Sequence, residues 1–118
     1  MSAACRMPCR SCPWRVDQDA QAIPNFDLDL AERLAATSPD ARGFGPDFGS
    51  PQFACHQSRE GAEVVCAGWL AVVGAAHPQV RMQVIRGQLD PAALEPGDGW
   101  PELHGSFVEV IEKLRATA

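Results

Sequence analysis

The sequence predicts a compact, mainly α domain with a cysteine-rich metal-binding knuckle and long loops rich in glycine and proline. Apolar residues recur at helical spacing in several segments, and four of the five cysteines form two separate pairs. Ten glycines and ten prolines interrupt the helical pattern. The length of 118 residues fits one domain, assigned to residues 1–118. A small α+β arrangement is the alternative, because residues 52–56 also suit an extended backbone.

Two short helices are predicted in the first two thirds of the chain. Asp27 can cap a helix over residues 27–36, in which two leucines lie four residues apart on one face. A buried helix is predicted over residues 67–73, directly after Cys66. Gly68 would weaken this helix in isolation, so we expect it to mark a close packing contact.

Helix-start signals recur in the last third of the chain. Pro78 suits the first turn of a helix that Gly87 ends, and Asp90 can cap a brief helical turn that begins with proline. The clearest helix is predicted over residues 102–116. Its apolar face comprises Leu103, Phe107, Val110, Ile111 and Leu114.

The longest irregular stretch runs over residues 38–51 and carries Phe44 and Phe48. Because a loop with two aromatic residues is typical of a packed loop, we expect it to be pinned onto the body and not to be a free linker. No apolar run approaches the length of a membrane span, so no membrane association is expected. Residues 1–6 lack the hydrophobic stretch of a secretory signal, which favours a cytoplasmic location.

The cysteines are the candidate site. Cys9 and Cys12 form a Cys-x-x-Cys pair, which places two thiols on one turn and suits neighbouring corners of a tetrahedral metal site. Cys55 and Cys66 can supply the other corners, if Cys55 ends an extended segment and Cys66 opens a helix. In a reducing compartment, such clusters indicate metal or catalysis more often than disulfides. Cys5 is interpreted as a spare thiol near the terminus.

Four residues are expected around these ligands. His56 adjoins Cys55, and since adjacent residues rarely both bind one ion, it is placed behind the ligands. Whether His56 or Cys5 ligates stays open. Trp14 and Trp69 suit a dry shell around the metal as well as ordinary core packing. Arg15 can offset the charge of about −2 that four thiolates leave on zinc.

The metal is interpreted as zinc, the default for a small structural site, with a [4Fe–4S] cluster as the alternative. A dithiol redox site is less well supported, because no hydrophobic strand precedes the Cys-x-x-Cys pair. The spacing of Cys5, Cys9 and Cys12 resembles that of radical SAM enzymes, but the chain is too short for their barrel. His77, before Pro78, is interpreted as a helix cap, and His104 as part of the last helix's first turn.

Three motifs together resemble domain of unknown function 6283, a family of small bacterial and phage proteins. They are PCRSCPWR at residues 8–15, FACHQS at residues 53–58 and CAGWL at residues 66–70. The resemblance extends from Pro8 to the last helix and implies no particular activity. It implies that the signature positions are Cys9, Cys12, Cys55, His56 and Cys66, with Cys5 outside the core motif.

The function expected from these observations is that of a small cytosolic metal-binding protein, a binding or regulatory module. Its partner is expected to be a protein or a nucleic acid, although the net charge of −5 argues against broad non-specific binding to nucleic acid. An iron–sulfur redox sensor or electron carrier is the alternative. A metal-dependent or thiol enzyme ranks last, because no convincing catalytic set of residues is present.

Overall fold

A computed structural model describes Pro8 and residues 12–17, 27–54 and 65–117. Within these ranges the regular structure is helical, which confirms the mainly α prediction, and contains no strand beyond two isolated antiparallel bridges. The predicted metal-binding knuckle lies largely outside the described residues. The helices are α1 (Leu28–Arg33), α2 (Ala67–Val72), α3 (Pro78–Ile85) and α4 (Phe107–Thr117), with 3₁₀ turns at Leu34–Thr37, Gly74–Ala76 and Pro91–Leu94.

Local capping signals set several of the helix ends as predicted. The Asp27 carboxylate accepts a hydrogen bond from Leu30 N at 2.8 Å, and that of Asp90 accepts one from Ala92 N at 2.9 Å. The His77 ring caps α3 by accepting from Gln79 N at 3.2 Å. Gly87, with φ +74°, follows the end of α3 in a conformation that favours glycine.

The prediction that the last helix begins near residue 102 was wrong, because α4 begins at Phe107. The segment before it pairs with the N-terminal corner instead. Val16 N donates to Glu102 O at 3.0 Å, and His104 N donates to Trp14 O at 2.8 Å. Leu103 therefore reaches the core from an extended segment, and His104 precedes the helix instead of lying in its first turn.

The 38–51 loop is held on the body as expected, but the rings of Phe44 and Phe48 do not hold it. Their exposed fractions are 68% and 58%. Hydrogen bonds from Trp69 in α2 and from His77, the N-cap of α3, hold the loop and the residue before it instead. The indole N–H of Trp69 donates to Thr37 O at 3.1 Å, and the His77 ring donates through Nε2 to Ser50 O at 3.0 Å.

The core is one cluster of buried side chains from the four helices, the N-terminal corner and the segments beside them. An aromatic cluster of Trp14, Phe53 and Phe107 occupies one side, with ring centroids 5.3–5.9 Å apart. No helix in the described part of the chain is long and apolar enough to cross a membrane. Other buried core residues are Ala31, Val65, Trp69, Leu70, Val73, Val80, Val110 and Leu114.

Candidate metal centre

Two of the predicted ligands come from distant parts of the chain and meet in the core. Cys12 begins a turn in which its carbonyl accepts from Arg15 N at 3.1 Å. Cys66 is the residue before α2, as predicted, and its N–H donates to Phe53 O at 2.9 Å. The two Sγ atoms lie 3.7 Å apart, and the residues are 1% and 3% exposed. Neither cysteine is in a disulfide.

The separation of the two sulfurs matches the geometry of a single tetrahedral ion. With zinc–sulfur bonds of about 2.3 Å, two ligands at neighbouring corners lie about 3.8 Å apart. In a [4Fe–4S] cluster each thiolate binds a different iron, so the sulfurs lie farther apart than two ligands of one ion. The 3.7 Å contact also serves as a thiol–thiol hydrogen bond. The pair can therefore contribute two ligands to a single metal ion.

Gly68 allows this approach, as its position in the buried helix predicts. A Cβ at Gly68 would lie 2.9 Å from the Cβ of Trp14 and 3.2 Å from the Sγ of Cys12. The first distance is shorter than real Cβ contacts, and the Trp14 Cβ is close to the backbone and has little freedom to move. The absence of a side chain at Gly68 thus lets the Cys12–Trp14 turn pack directly on α2.

The surroundings of Cys12 favour its thiolate. A hydrogen bond from the Cys66 thiol is the main cause that lowers the pKa of Cys12, and burial acts in the opposite direction. Backbone N–H groups and the positive charge of Arg15 lower the pKa further. A lowered pKa suits a metal ligand, because the thiolate is the form that binds.

Arg15 lies at the rim of the site. Its guanidinium makes two parallel hydrogen bonds to the Asp17 carboxylate, each 2.8 Å long. These bonds raise the pKa of Arg15 and lower that of Asp17. Arg15 thus acts on Cys12 through its positive charge, and Asp17 holds the Arg15 side chain in place.

The two tryptophans have different surroundings. Trp14 is fully buried, and its ring packs on Phe53 and Phe107 next to the cysteine pair. Trp69 is equally buried, but its indole N–H points to Thr37 and its ring packs edge-on against His77 at 5.5 Å. Trp14 therefore belongs to the aromatic cluster of the core, whereas Trp69 connects α2 to the start of the 38–51 loop.

The remaining predicted site residues, Cys9, Cys55 and His56, lie outside the described residues, as does Cys5. Across ranges 12–17, 27–54 and 65–117, no group of three or more His, Cys, Asp or Glu side chains could hold a metal. In the sequence, Cys9 precedes Cys12 by three residues. Cys55 directly follows Ala54, whose backbone pairs with Val65 beside Cys66. The four-cysteine site stays a prediction.

Sequence reasoning missed the aromatic cluster of Trp14, Phe53 and Phe107 and the contacts of His104. Phe53 lies in the same motif as Cys55, which was a usable signal, but nothing in the sequence connected Phe107 to Trp14. The backbone of His104 bonds Trp14, and its Nδ1 lies 3.5 Å from a carboxylate oxygen of Glu109. His77 is the buried helix cap that was predicted.

The fold and this site define a small helical protein in which a buried cysteine pair joins the N-terminal corner to the core. Residues 4–117 match the family of unknown function DUF6283, so the chain belongs to that family, as the three motifs indicated. Comparison with curated proteins and with solved structures found no match.

Proposed function

We propose that this chain is a metal-binding protein in which Cys9, Cys12, Cys55 and Cys66 hold one zinc ion. The observation that supports it best is the 3.7 Å separation of Cys12 and Cys66, which agrees with two ligands of one tetrahedral ion. The lowered pKa of Cys12 and its closeness to Arg15 point the same way. The other two ligands follow from the spacing of the cysteines in the sequence.

In this proposal the ion is first a structural crosslink. It would connect the Cys12 turn, the segment before residue 55 and the start of α2. Four sulfur ligands leave no open coordination position for substrate or water, so a binding or regulatory role in the cytoplasm fits better than catalysis. The partner would be a protein or a nucleic acid.

The experiment is metal analysis of the protein purified with and without oxygen, together with its visible spectrum. We expect one zinc per chain, a colourless protein, and a lower free energy of unfolding in a strong chelator, which added zinc restores. Cobalt in place of zinc should give the visible bands of a tetrahedral thiolate site. If anaerobic purification gave a brown, iron-containing protein, the site would hold an iron–sulfur cluster instead of zinc. A metal-free protein that keeps full helicity and takes up no metal would overturn the proposal.

Serine variants identify the ligands. Cys12→Ser and Cys66→Ser should each abolish stoichiometric zinc binding, because a neutral hydroxyl is a poor zinc ligand. Cys5→Ser is the matched control, since Cys5 lies outside the predicted site, and it should keep one zinc per chain. Equal loss of zinc in the control variant would contradict this choice of ligands.

A further inference from the structure

A groove lies between the 38–51 loop and α3. It has a volume of about 230 Å³ and is open to solvent. None of its lining residues is a proposed metal ligand. They are Phe48, Gln79, Met82, Gln83, Arg86 and Gln88.

The aromatic ring in this groove is held in an exposed position by a well-bonded turn. Phe48 is 58% exposed, although burial of a phenylalanine side chain is favourable. On one side, Ser50 N donates to Asp47 O at 3.1 Å and Gly49 N donates to the Asp47 carboxylate at 3.0 Å. On the other side, the side-chain amide of Gln79 donates to Phe48 O. The fold thus presents this ring to solvent on a fixed support.

The electrostatics of the groove differ from those of the chain as a whole. Among the described residues that line it, Arg86 carries the only charge. The helix beneath, α3, contains no acidic residue, while the whole chain has a net charge of −5. The nearby Asp47 carboxylate is engaged by its own turn. In the described part of the chain, Arg86 has no ion-pair partner.

We propose that this groove binds single-stranded nucleic acid, with one base stacked on Phe48 and a neighbouring phosphate paired with Arg86. A flat aromatic face, amide groups and a guanidinium are the combination that recognises a base and its backbone phosphate. Charge alone would suit an acidic peptide equally well, but an exposed aromatic ring favours a planar base that can stack on it. None of the residues that form this surface is a proposed metal ligand, so its binding can be tested on the metal-loaded protein.

The negative charge of the whole chain sets the expected strength of binding. Repulsion between the acidic body and a polyanion opposes association, so we expect modest affinity that falls steeply with salt. Duplex DNA should bind more weakly than single strands, because its bases are already stacked and unavailable to Phe48.

The test is fluorescence anisotropy of the metal-loaded protein with labelled single-stranded RNA and DNA of about twelve nucleotides at several salt concentrations. Phe48→Ala should weaken binding at least about fivefold, the lower end of the effect of removing a base stack. Arg86→Ala should also weaken it and reduce the slope of log K against log salt by about 0.7. Circular dichroism and metal content should be unchanged in both variants, which separates this proposal from the metal proposal.

Two matched controls use residues that do not line the groove. Phe44→Ala removes an exposed ring from the same loop, and Arg81→Ala removes an exposed charge from the same helix. Both should bind like the unmodified protein. If these control variants lost as much affinity as Phe48→Ala and Arg86→Ala, binding would be non-specific and the proposal would be overturned. Equal affinity for duplex DNA, or competition by polyglutamate at equal charge, would also overturn it. So would the absence of binding at low salt.

Discussion

At the scale of single residues, Gly68 is where one added methyl group would disturb the cysteine pair most directly. The new Cβ of Gly68→Ala would lie 2.9 Å from the Trp14 Cβ, and Trp14 is fully buried. We expect a loss of about 1–3 kcal/mol in the free energy of unfolding from overpacking. The better helix propensity of alanine, worth up to about 1 kcal/mol, offsets part of it. Urea denaturation measures the difference.

Gly74→Ala is the matched control for this variant. Its new Cβ would also have a neighbour at 2.9 Å, but that atom is Cδ2 of Leu94, the far end of a flexible side chain. The side chain can rotate away, so the loss of stability should be smaller than for Gly68→Ala. If Gly68→Ala proved the more stable of the two variants, the close contact between Trp14 and α2 would not exist as described.

At the scale of elements, the connection between α2 and the 38–51 loop rests on the indole N–H of Trp69. This group donates to Thr37 O at 3.1 Å and lies 3.2 Å from the Ser38 hydroxyl. Trp69→Phe keeps an aromatic ring but leaves these buried acceptors without their donor, a cost of about 1–3 kcal/mol beyond the lost volume. We expect faster amide hydrogen exchange and faster proteolysis within residues 38–51.

Trp14→Phe is the matched comparison, because Trp14 is equally buried but its indole nitrogen has no hydrogen-bond partner among the described residues. Removing that N–H should cost only packing, and the 38–51 loop should keep its protection from exchange. Equal loosening of the loop in both variants would indicate a general loss of stability instead of a broken connection.

Elements differ in how well the sequence predicts them. The starts of α1, α3 and the Pro91–Leu94 turn depend on contacts within four residues, so the caps at Asp27, His77 and Asp90 were readable. The start of α4 was not, because backbone pairing with residues 14–16, far away in the sequence, keeps residues 102–104 extended. The exposure of Phe44 and Phe48 also could not be predicted from hydrophobicity, because hydrogen bonds to its backbone hold the loop.

At the scale of the whole molecule, the meeting of Cys12 and Cys66 could be predicted from thiol chemistry and spacing. What surrounds the pair could not. The aromatic cluster depends on Phe107. Helix spacing marks Phe107 as a core residue but does not say which residues it contacts. The exposed groove beside α3 also escaped prediction, because it forms only when a turn 30 residues earlier in the chain docks on the helix.

The whole-molecule prediction concerns the coupling of the two cysteines across 54 residues of sequence. If both bind one ion, losing the second ligand matters little once the first is gone. In zinc, the double variant of Cys12→Ser and Cys66→Ser should therefore lose about as much stability as either single variant, a coupling of at least about 2 kcal/mol. In chelator only the thiol–thiol contact remains, and the coupling should fall below about 1 kcal/mol. Urea denaturation of the four proteins in both buffers measures it, and additive losses in zinc would show that the two sulfurs do not share an ion.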